Sequence, residues 1–193
     1  MAVTSANLVA GPAVVYTGAF GATEPADSAI ATAPSSAAWT DQGGTDGGVK
    51  INIDLDYFDL SVDQIVDRVG SRLQKREITV ETNLAEATLA NLKTAVNGGT
   101  ITASAAYQSF DPLNDNSATQ PAYTAMIIDG FAPLGTGAAS ASARRRFIVR
   151  KVLNTDAVGM SYEKDKQTFI PVKLTAHFVS SAIAPFRVVD QLT

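Results

Sequence analysis

The sequence predicts a mainly β protein, built as a β-sandwich or partly open barrel with one flanking α-helix and long arms. Three observations support this fold class. Residues 50–57 alternate between polar and apolar side chains, which is the period of a half-buried strand. Residues 84–97 contain the one apolar stripe at helical spacing. Residues 18–48 are so rich in Gly, Ala, Ser, Thr and Pro that they cannot build a core alone.

The first quarter of the chain is expected to contain an arm, a strand and a long loop. Residues 1–11 form the arm and residues 12–17 the strand. The loop at residues 18–48 contains Trp39, the only tryptophan, which would anchor the loop by burying a large apolar face. Because long loops are often functional, two interpretations stay open: a flexible insertion, or an arm that orders against a neighbouring subunit.

Residues 50–82 are predicted to form one long β-hairpin. Ile51, Ile53, Leu55 and Tyr57 share one side of its first strand, and the polar side chains share the other. The tip is expected at residues 59–72. The glycine-rich run just before the hairpin lacks the Lys-Ser/Thr ending of a phosphate-binding loop, so it is interpreted as a hinge.

The single helix is predicted at residues 84–97, with Asn83 and Glu86 forming a capping box at its start. Glycines after Asn97 mark its end. Pro171 has no amide hydrogen, so it is expected at an edge or at the start of a strand. Further strands are predicted at residues 101–107, 123–131, 145–153, 158–163 and 168–179, and the last ten residues are predicted to form a short tail.

Composition excludes several classes of protein. A length of 193 residues suits one domain, and the lack of cysteine removes disulfides, thiolate metal sites and thiol nucleophiles. The net charge of −4 disfavours tight binding of duplex DNA, which needs a basic surface. No apolar run approaches the length of a membrane-spanning helix, and the N-terminus lacks the pattern of a signal peptide. No membrane anchor is expected.

The residues that usually carry catalysis are missing or isolated. His177 is the only histidine and lies in an alternating segment, so a structural role is expected. Asp54 and Asp56 are two apart on one strand and poorly placed to flank a glycosidic bond. Asp59 does not complete a calcium-binding loop. We therefore expect no enzyme, no cofactor and no metal site. A carbohydrate-binding sandwich would need exposed aromatic platforms, yet aromatic residues make up only 7 % of the chain.

Several short motifs occur in an order that resembles the major tail tube proteins of siphophages, the phages with long flexible tails. They are Tyr16-x-Gly18, Trp39-Thr40-x-x-Gly43, Thr45-x-Gly47-Gly48-Val49, Asp63-Gln64, Tyr162-x-Lys164 and Ile170-Pro171-Val172. The resemblance implies a single tail tube domain over residues 1–193, with a fold shared with type VI secretion tubes. It implies hexameric rings with a continuous β-barrel lining, stacked into the channel for genome delivery.

The resemblance also implies partners and a location. The arm, the long loop and the hairpin would bridge neighbouring subunits and rings. Tape measure and terminator proteins would bind the assembled tube, and double-stranded DNA would pass without specific binding. The protein would be assembled in the host cytoplasm and reside in the virion tail. The alternative is a related component, either a type VI-like tube or a tail-end adaptor.

Two sets of charged or anchoring residues are candidates for this role. Carboxylates on the polar side of the hairpin form either an ordinary solvated face or a lumen lining that keeps DNA phosphates from adsorbing. They are Asp54, Asp56, Glu77 and Glu81. Candidate contacts between subunits are Trp39, Asp59, Asp63, Arg72, Arg144, Arg145 and Arg146.

The basic run at Arg144, Arg145 and Arg146 has two interpretations. DNA binding is disfavoured because no aromatic platform accompanies the run. Ion pairing with the acidic hairpin of a neighbouring subunit, or packing of the arginine stems against a neighbour, is preferred. Glutamate at both Arg145 and Arg146 should then block polymerisation and leave the monomer folded.

Overall fold

The computed structural model of the protein describes residues 3, 7–114, 116, 118–133 and 143–192. It confirms the mainly β prediction, with 50 % strand and 6 % helical residues. The strands are β1 (Val14–Ala19), β2 (Trp39–Asp41), β3 (Thr45–Val62), β4 (Ile65–Leu84), β5 (Thr100–Ala103), β6 (Gln108–Asp111), β7 (Thr124–Phe131), β8 (Arg144–Asn154), β9 (Ile170–Ala176) and β10 (Phe186–Asp190). The helix α1 spans Leu89–Ala95, and a short 3-10 turn spans Asp27–Ala29.

Eight strands form one open antiparallel sheet in the order β2-β1-β7-β8-β9-β4-β3, with β10 added beside β8. The long strand β8 divides this sheet, because residues 145–149 pair with β10 and residues 152–154 pair with β9. Strands β5 and β6 form a separate two-stranded sheet next to α1. The open arrangement is consistent with the predicted sandwich.

The main core forms where the two ends of the sheet face each other. Val15 from β1 and Val80 from β4 are far apart in the strand order, yet both belong to one buried cluster. Met126, Val149 and Leu174 complete its centre. The sheet therefore folds over itself, and the apolar side of β4 is covered only as far along the strand as this core extends.

Strands β7 and β8 are buried on both sides of the sheet, and β7 corresponds to the strand predicted at residues 123–131. Met126 faces the main core, and the alternate residue Ile127 faces a second cluster that contains Trp39 and Ile148. The segment at residues 20–38 covers this second side. It is therefore ordered against its own domain rather than being a free insertion, and Trp39 anchors it as predicted.

The helix is shorter than the predicted span of residues 84–97. Strand β4 continues through Leu84, so Asn83 pairs with Pro171 of β9 and does not cap the helix. Thr88 is the N-cap, and its hydroxyl accepts a hydrogen bond from the backbone N–H of Asn91 at 3.1 Å. The sheet overrides the local capping signal because β3 and β9 both pair with this end of β4.

Three smaller predictions were wrong. Residues 101–107 are not one strand but part of the small β5–β6 hairpin, and residues 158–163 form no strand. The predicted C-terminal tail contains β10, which pairs with β8. Pro171 lies second in β9, close to the predicted strand start. Residues 1–2 and 4–6 of the predicted arm lie outside the described residues.

Candidate functional site

The most prominent feature of the molecule is a long hairpin formed by β3 and β4. The two strands pair out to Val62 and Ile65, and the connection is a two-residue turn at Asp63 and Gln64. The turn is therefore much shorter than the extended tip predicted at residues 59–72. At the other end, Gly47 and Gly48 have φ values of 72° and 78° and form a bulge that leads into the hairpin.

Much of this hairpin extends beyond the body of the domain. Strand β9 pairs with β4 only from Thr79 to Leu84. The 14 residues from Ile65 to Ile78 continue past that support, a distance of roughly 45 Å for an extended strand. A two-stranded hairpin alone is at best marginally stable in water, so a projection of this length needs further contacts.

The projecting part of the hairpin exposes many large apolar side chains. Ten of them are between 38 % and 105 % exposed: Ile53, Leu55, Tyr57, Phe58, Leu60, Val62, Ile65, Val66, Val69 and Leu73. Scattered exposed apolar residues are normal, but here ten of them are concentrated on one two-stranded ribbon. Apolar patches larger than a few hundred Å² mark interaction sites in soluble proteins.

The edges of the ribbon are also open. Within the described part of the chain, β3 pairs only with β4, which leaves its outer edge without a partner strand. The outer edge of β4 lacks a partner over residues 65–78. Open edges present rows of backbone donors and acceptors that another chain can pair with.

The predicted lumen residues lie on one side of this ribbon. Asp54 is directly opposite Glu77, and Glu81 is opposite Lys50. Paired residues share a side, so Asp54, Asp56, Glu77 and Glu81 do face the same way near the base of the hairpin. Whether that side lines a lumen stays a prediction.

The charged side is not purely acidic. Lys75 lies 2.6 Å from Glu77, while Lys50 and Lys173 lie 3.7 and 3.2 Å from Glu81. Its hydrogen bond with Lys75 lowers the pKa of Glu77, and Glu81 raises the pKa of Lys173 in the same way. The side therefore carries four carboxylates and three ammonium groups, and its net charge is small.

Three of the predicted subunit contacts lie on the exposed part of the hairpin. Asp59 forms an ion pair with Arg68 at 2.8 Å and accepts a hydrogen bond from the Ser71 hydroxyl at 3.1 Å. Asp63 forms part of the turn, and Arg72 is opposite Phe58. All three are accessible to a neighbouring molecule.

Trp39 has a different environment. Its side chain is only 3 % exposed, and the indole N–H donates to the backbone oxygen of Thr23 at 3.0 Å. The indole packs on Ala125, Ile127 and Ile148. These contacts are all within one chain, so we assign Trp39 to the core and leave it out of the interface proposed below.

The three arginines of the basic run also make their contacts within the chain. Arg146 is 2 % exposed and makes a bidentate ion pair with Asp129 at 2.6 and 2.7 Å. Arg145 makes a bidentate pair with Asp190 at 2.6 Å, which raises the pKa of Arg145 and lowers that of Asp190. The guanidinium of Arg144 lies 5.1 Å from the centre of the Phe131 ring.

Arginine side chains also fix the segment at residues 20–38, which we call the strap. Arg146 donates to the backbone oxygen of Thr32 at 2.8 Å. Arg150 forms an ion pair with Glu24, and Arg187 with Asp27. Sequence analysis missed these pairs because the partners are more than 100 residues apart in the chain.

The single histidine packs against an aromatic side chain. His177 follows β9, and its ring packs edge-on against Tyr123 with centroids 5.1 Å apart. Partial burial and the nearby Lys151 lower the pKa of its imidazole. Among the described residues, no group of three or more His, Cys, Asp or Glu side chains could hold a metal ion. No helix in the described ranges is long and apolar enough to cross a membrane.

A family model described as "Phage tail tube protein" matches residues 1–186, which is nearly the whole chain. No curated protein matches the chain.

Proposed function

The chain belongs to the phage tail tube protein family, and we propose that its copies join head to tail through the β3–β4 hairpin into hexameric rings that stack into the tail tube. The family makes the chain a structural subunit of the virion tail. The ring, its number of copies and the channel for genome delivery are the proposal. The observation that carries it is the projecting ribbon, which is open along both edges and apolar over most of its length.

Pairing between the strands of neighbouring copies would give both open edges of the hairpin a partner. If β4 of one copy pairs with β3 of the next, each copy uses two different edges, which is a heterologous contact. Such contacts close into a ring when the rotation between copies is a simple fraction of a turn. Successive hairpins in a ring place β4 beside β3 in antiparallel sense, as within one hairpin. The backbone groups of the projecting part then find partners, and the sheet closes into a barrel.

The charges of the two strands support pairing between unlike edges. From residue 53 to residue 62, β3 carries three aspartates and no basic residue. From residue 65 to residue 77, β4 carries four basic and two acidic residues. A β3–β4 contact between copies brings opposite charges together, whereas a β3–β3 contact sets aspartates against aspartates. Charge complementarity of this kind selects partner and orientation more than it adds affinity.

Apolar burial supplies most of the driving force. Covering a side chain that is about half exposed gains roughly 1 kcal/mol, and ten such side chains lie on each hairpin. Each copy also receives the hairpin of a neighbour, so the gain is repeated around the ring. A permanent assembly of this type needs an interface of about 2,000 Å² or more.

The charged side of the hairpin is proposed to face the lumen. The opposite, apolar side of the hairpin is an extension of the sheet surface that faces the domain core. When the ring closes, the charged side therefore faces the ring axis. Asp54 and Asp56 have no ion-pair partner among the described residues, whereas Glu77 and Glu81 are paired with lysines. A wall of balanced charges with a slight negative excess lets DNA pass without adsorbing. Tape measure and terminator proteins are the proposed tail partners, and the host cytoplasm is the proposed place of assembly.

Negative-stain electron microscopy of the purified protein over a range of concentrations tests the proposal. We expect rings that stack into tubes of uniform width as concentration rises, with a central channel. Isolated rings that never stack would favour a tail-end adaptor. A monomer at every concentration would refute the proposed assembly.

A further inference from the structure

Strand β10 covers part of one edge of β8. It pairs with residues 145–149 of β8 and, among the described residues, with no other strand. Three of its five residues are exposed. The connection from β9 to β10, residues 177–185, contains no helix or strand. The backbone of β10 is therefore held to the domain along one edge only.

Two backbone hydrogen bonds show which residues of β10 face β8. The N–H of Arg150 donates to the backbone oxygen of Pro185 at 3.0 Å, and the N–H of Gln191 donates to that of Arg144 at 2.8 Å. Hydrogen-bonded pairs and non-hydrogen-bonded pairs alternate along an antiparallel ladder. The odd-numbered residues of β10 therefore direct their N–H and C=O groups toward β8, and the even-numbered residues direct theirs to the outer edge.

Two side-chain contacts add a sequence preference to this pairing. The ring of Phe186 stacks on Phe147, with centroids 5.2 Å apart and an angle of 6° between the planes. Asp190 accepts two hydrogen bonds from the guanidinium of Arg145, both at 2.6 Å. The edge of β8 thus fits an extended segment with an aromatic residue at its start and a carboxylate four positions later.

We propose that this edge of β8 is a binding site for an extended peptide and that β10 is a removable strand of the same chain that occupies it. An open strand edge is a template for pairing with another chain, and short, charged edge strands prevent such pairing. Strand β8 has 11 residues with Phe147, Ile148 and Val149 in succession, whereas β10 has 5 residues and carries Arg187 and Asp190.

Strand β10 therefore replaces a long apolar edge with a short charged one, and strand pairing between copies is left to the hairpin. The peptide site itself does not depend on the proposed tube. The effect of β10 on assembly rests on it.

Three observations favour a removable strand over a permanent part of the sheet. The family model matches residues 1–186, so the match ends where β10 begins. The ion pairs of β10 with Arg145 and with Asp27 join side chains that are 38 % to 48 % exposed, and exposed pairs contribute little. Phe186 is the one side chain of β10 that packs against the main core. Breaking the backbone ladder is therefore enough to release the strand.

Two proline variants at adjacent positions separate the inner edge of β10 from its outer edge. Val189→Pro removes an N–H that faces β8 and places the proline ring in the ladder, so β10 is released. Val188→Pro is the matched control, because its N–H faces outward, where proline is tolerated. Each variant loses one valine side chain from the same strand.

Binding is measured by fluorescence anisotropy with a labelled peptide that has the sequence of residues 184–192. In the wild type and in Val188→Pro, the tethered strand competes at an effective concentration on the order of millimolar. We therefore expect Val189→Pro to bind the peptide at least about tenfold more tightly than either of them. A peptide that itself carries Val189→Pro should bind none of the three proteins.

A second variant keeps the test decisive if Val189→Pro does not fold, which circular dichroism checks. Phe186→Ala/Asp190→Lys retains every backbone group of β10 and removes both side-chain contacts, so the native peptide should again bind more tightly than it binds the wild type. Equal peptide binding by the folded variants and the wild type, or no binding by any of them, would overturn the proposed site.

Electron microscopy of the same proteins tests the effect on assembly. Val188→Pro should form the same tubes as the wild type. Val189→Pro should form irregular aggregates, and saturating peptide should restore tubes. Normal tubes from Val189→Pro without peptide would overturn the role of β10 in assembly. If the wild type forms no tubes, the proposed function fails, and peptide binding still decides whether the β8 edge is a site.

Discussion

Replacing Arg146 with glutamate tests an internal ion pair on which the fold depends. Arg146 is 2 % exposed, and its Nε and Nη2 groups donate to the two oxygens of Asp129 at 2.7 and 2.6 Å. The same Nη2 group donates to Thr32 of the strap. Arg146→Glu places two carboxylates together in a buried position and removes the donor that holds the strap.

The expected loss of stability is large. Removing one partner of a buried pair costs about 3–5 kcal/mol, and the facing like charges add to it. For a domain of this size, each kcal/mol lowers Tm by about 2–4 °C, so Tm should fall by roughly 6–20 °C. The double variant Asp129→Leu/Arg146→Met should recover most of this loss, because no charge is left unpaired.

Thermal unfolding followed by circular dichroism measures this effect. The protein should be kept dilute enough to remain monomeric, so that assembly does not raise the apparent Tm. Arg145→Glu is the control, since its partner Asp190 is exposed and exposed pairs contribute about 1 kcal/mol or less. If Arg146→Glu and Arg145→Glu melt together near the parent protein, the reasoning is refuted. These expectations replace the earlier one that glutamate at both positions leaves a folded monomer.

Three further predictions concern the core, the hairpin and pH. Trp39→Ala should lower the free energy of unfolding by about 3–5 kcal/mol in chemical denaturation, because it empties a buried site; a loss below about 1 kcal/mol would contradict the assignment. Trypsin should cleave after Arg68 and Arg72 in dilute monomer but not in tubes, as read by mass spectrometry, and equal cleavage in both would argue against a buried hairpin. Because Arg145 lowers the pKa of Asp190, this carboxyl contributes stability above about pH 4 that is lost as pH falls toward its folded pKa. The Tm of the monomer should therefore fall less between pH 6 and pH 3 for Asp190→Asn than for the parent, and identical slopes would exclude this contribution.

The parts of the fold that were predictable are those set by local pattern. Strict alternation from Lys50 to Tyr57 predicted β3, and the strand predicted at residues 123–131 corresponds to β7. The helix boundary failed at Asn83 because β9 supplies partners for the end of β4. Whether Asn83 continues β4 or caps the helix depends on β9, which begins 87 residues later in the sequence. Local capping preferences contain no information about so distant a strand.

The candidate site was predictable only in part. The carboxylates at Asp54 and Glu77 share a side because alternation fixes that side in each strand. The lysine that joins Glu81 from β9 was not predictable, since it depends on the order of strands in the sheet. The sequence indicated that Arg146 is a surface contact within a basic run. In the structure its ion-pair partner, Asp129, lies on β7, and the burial of Arg146 depends on the strap.

The central claim, head-to-tail pairing of hairpins, is open to a direct measurement by disulfide cross-linking. The chain has no cysteine, so single-cysteine variants can form disulfides only between copies. One set would carry cysteine on β3, at Asn52 or Asp54, and the other on β4, at Lys75 or Glu77. These side chains lie off the apolar rows, so assembly should persist.

Mixed and oxidised under assembly conditions, the two sets should give disulfides between a β3 cysteine and a β4 cysteine, with a defined register between positions. Each set alone should give little dimer. Efficient β3–β3 or β4–β4 disulfides with few mixed ones would mean that like edges meet, and this would contradict head-to-tail assembly.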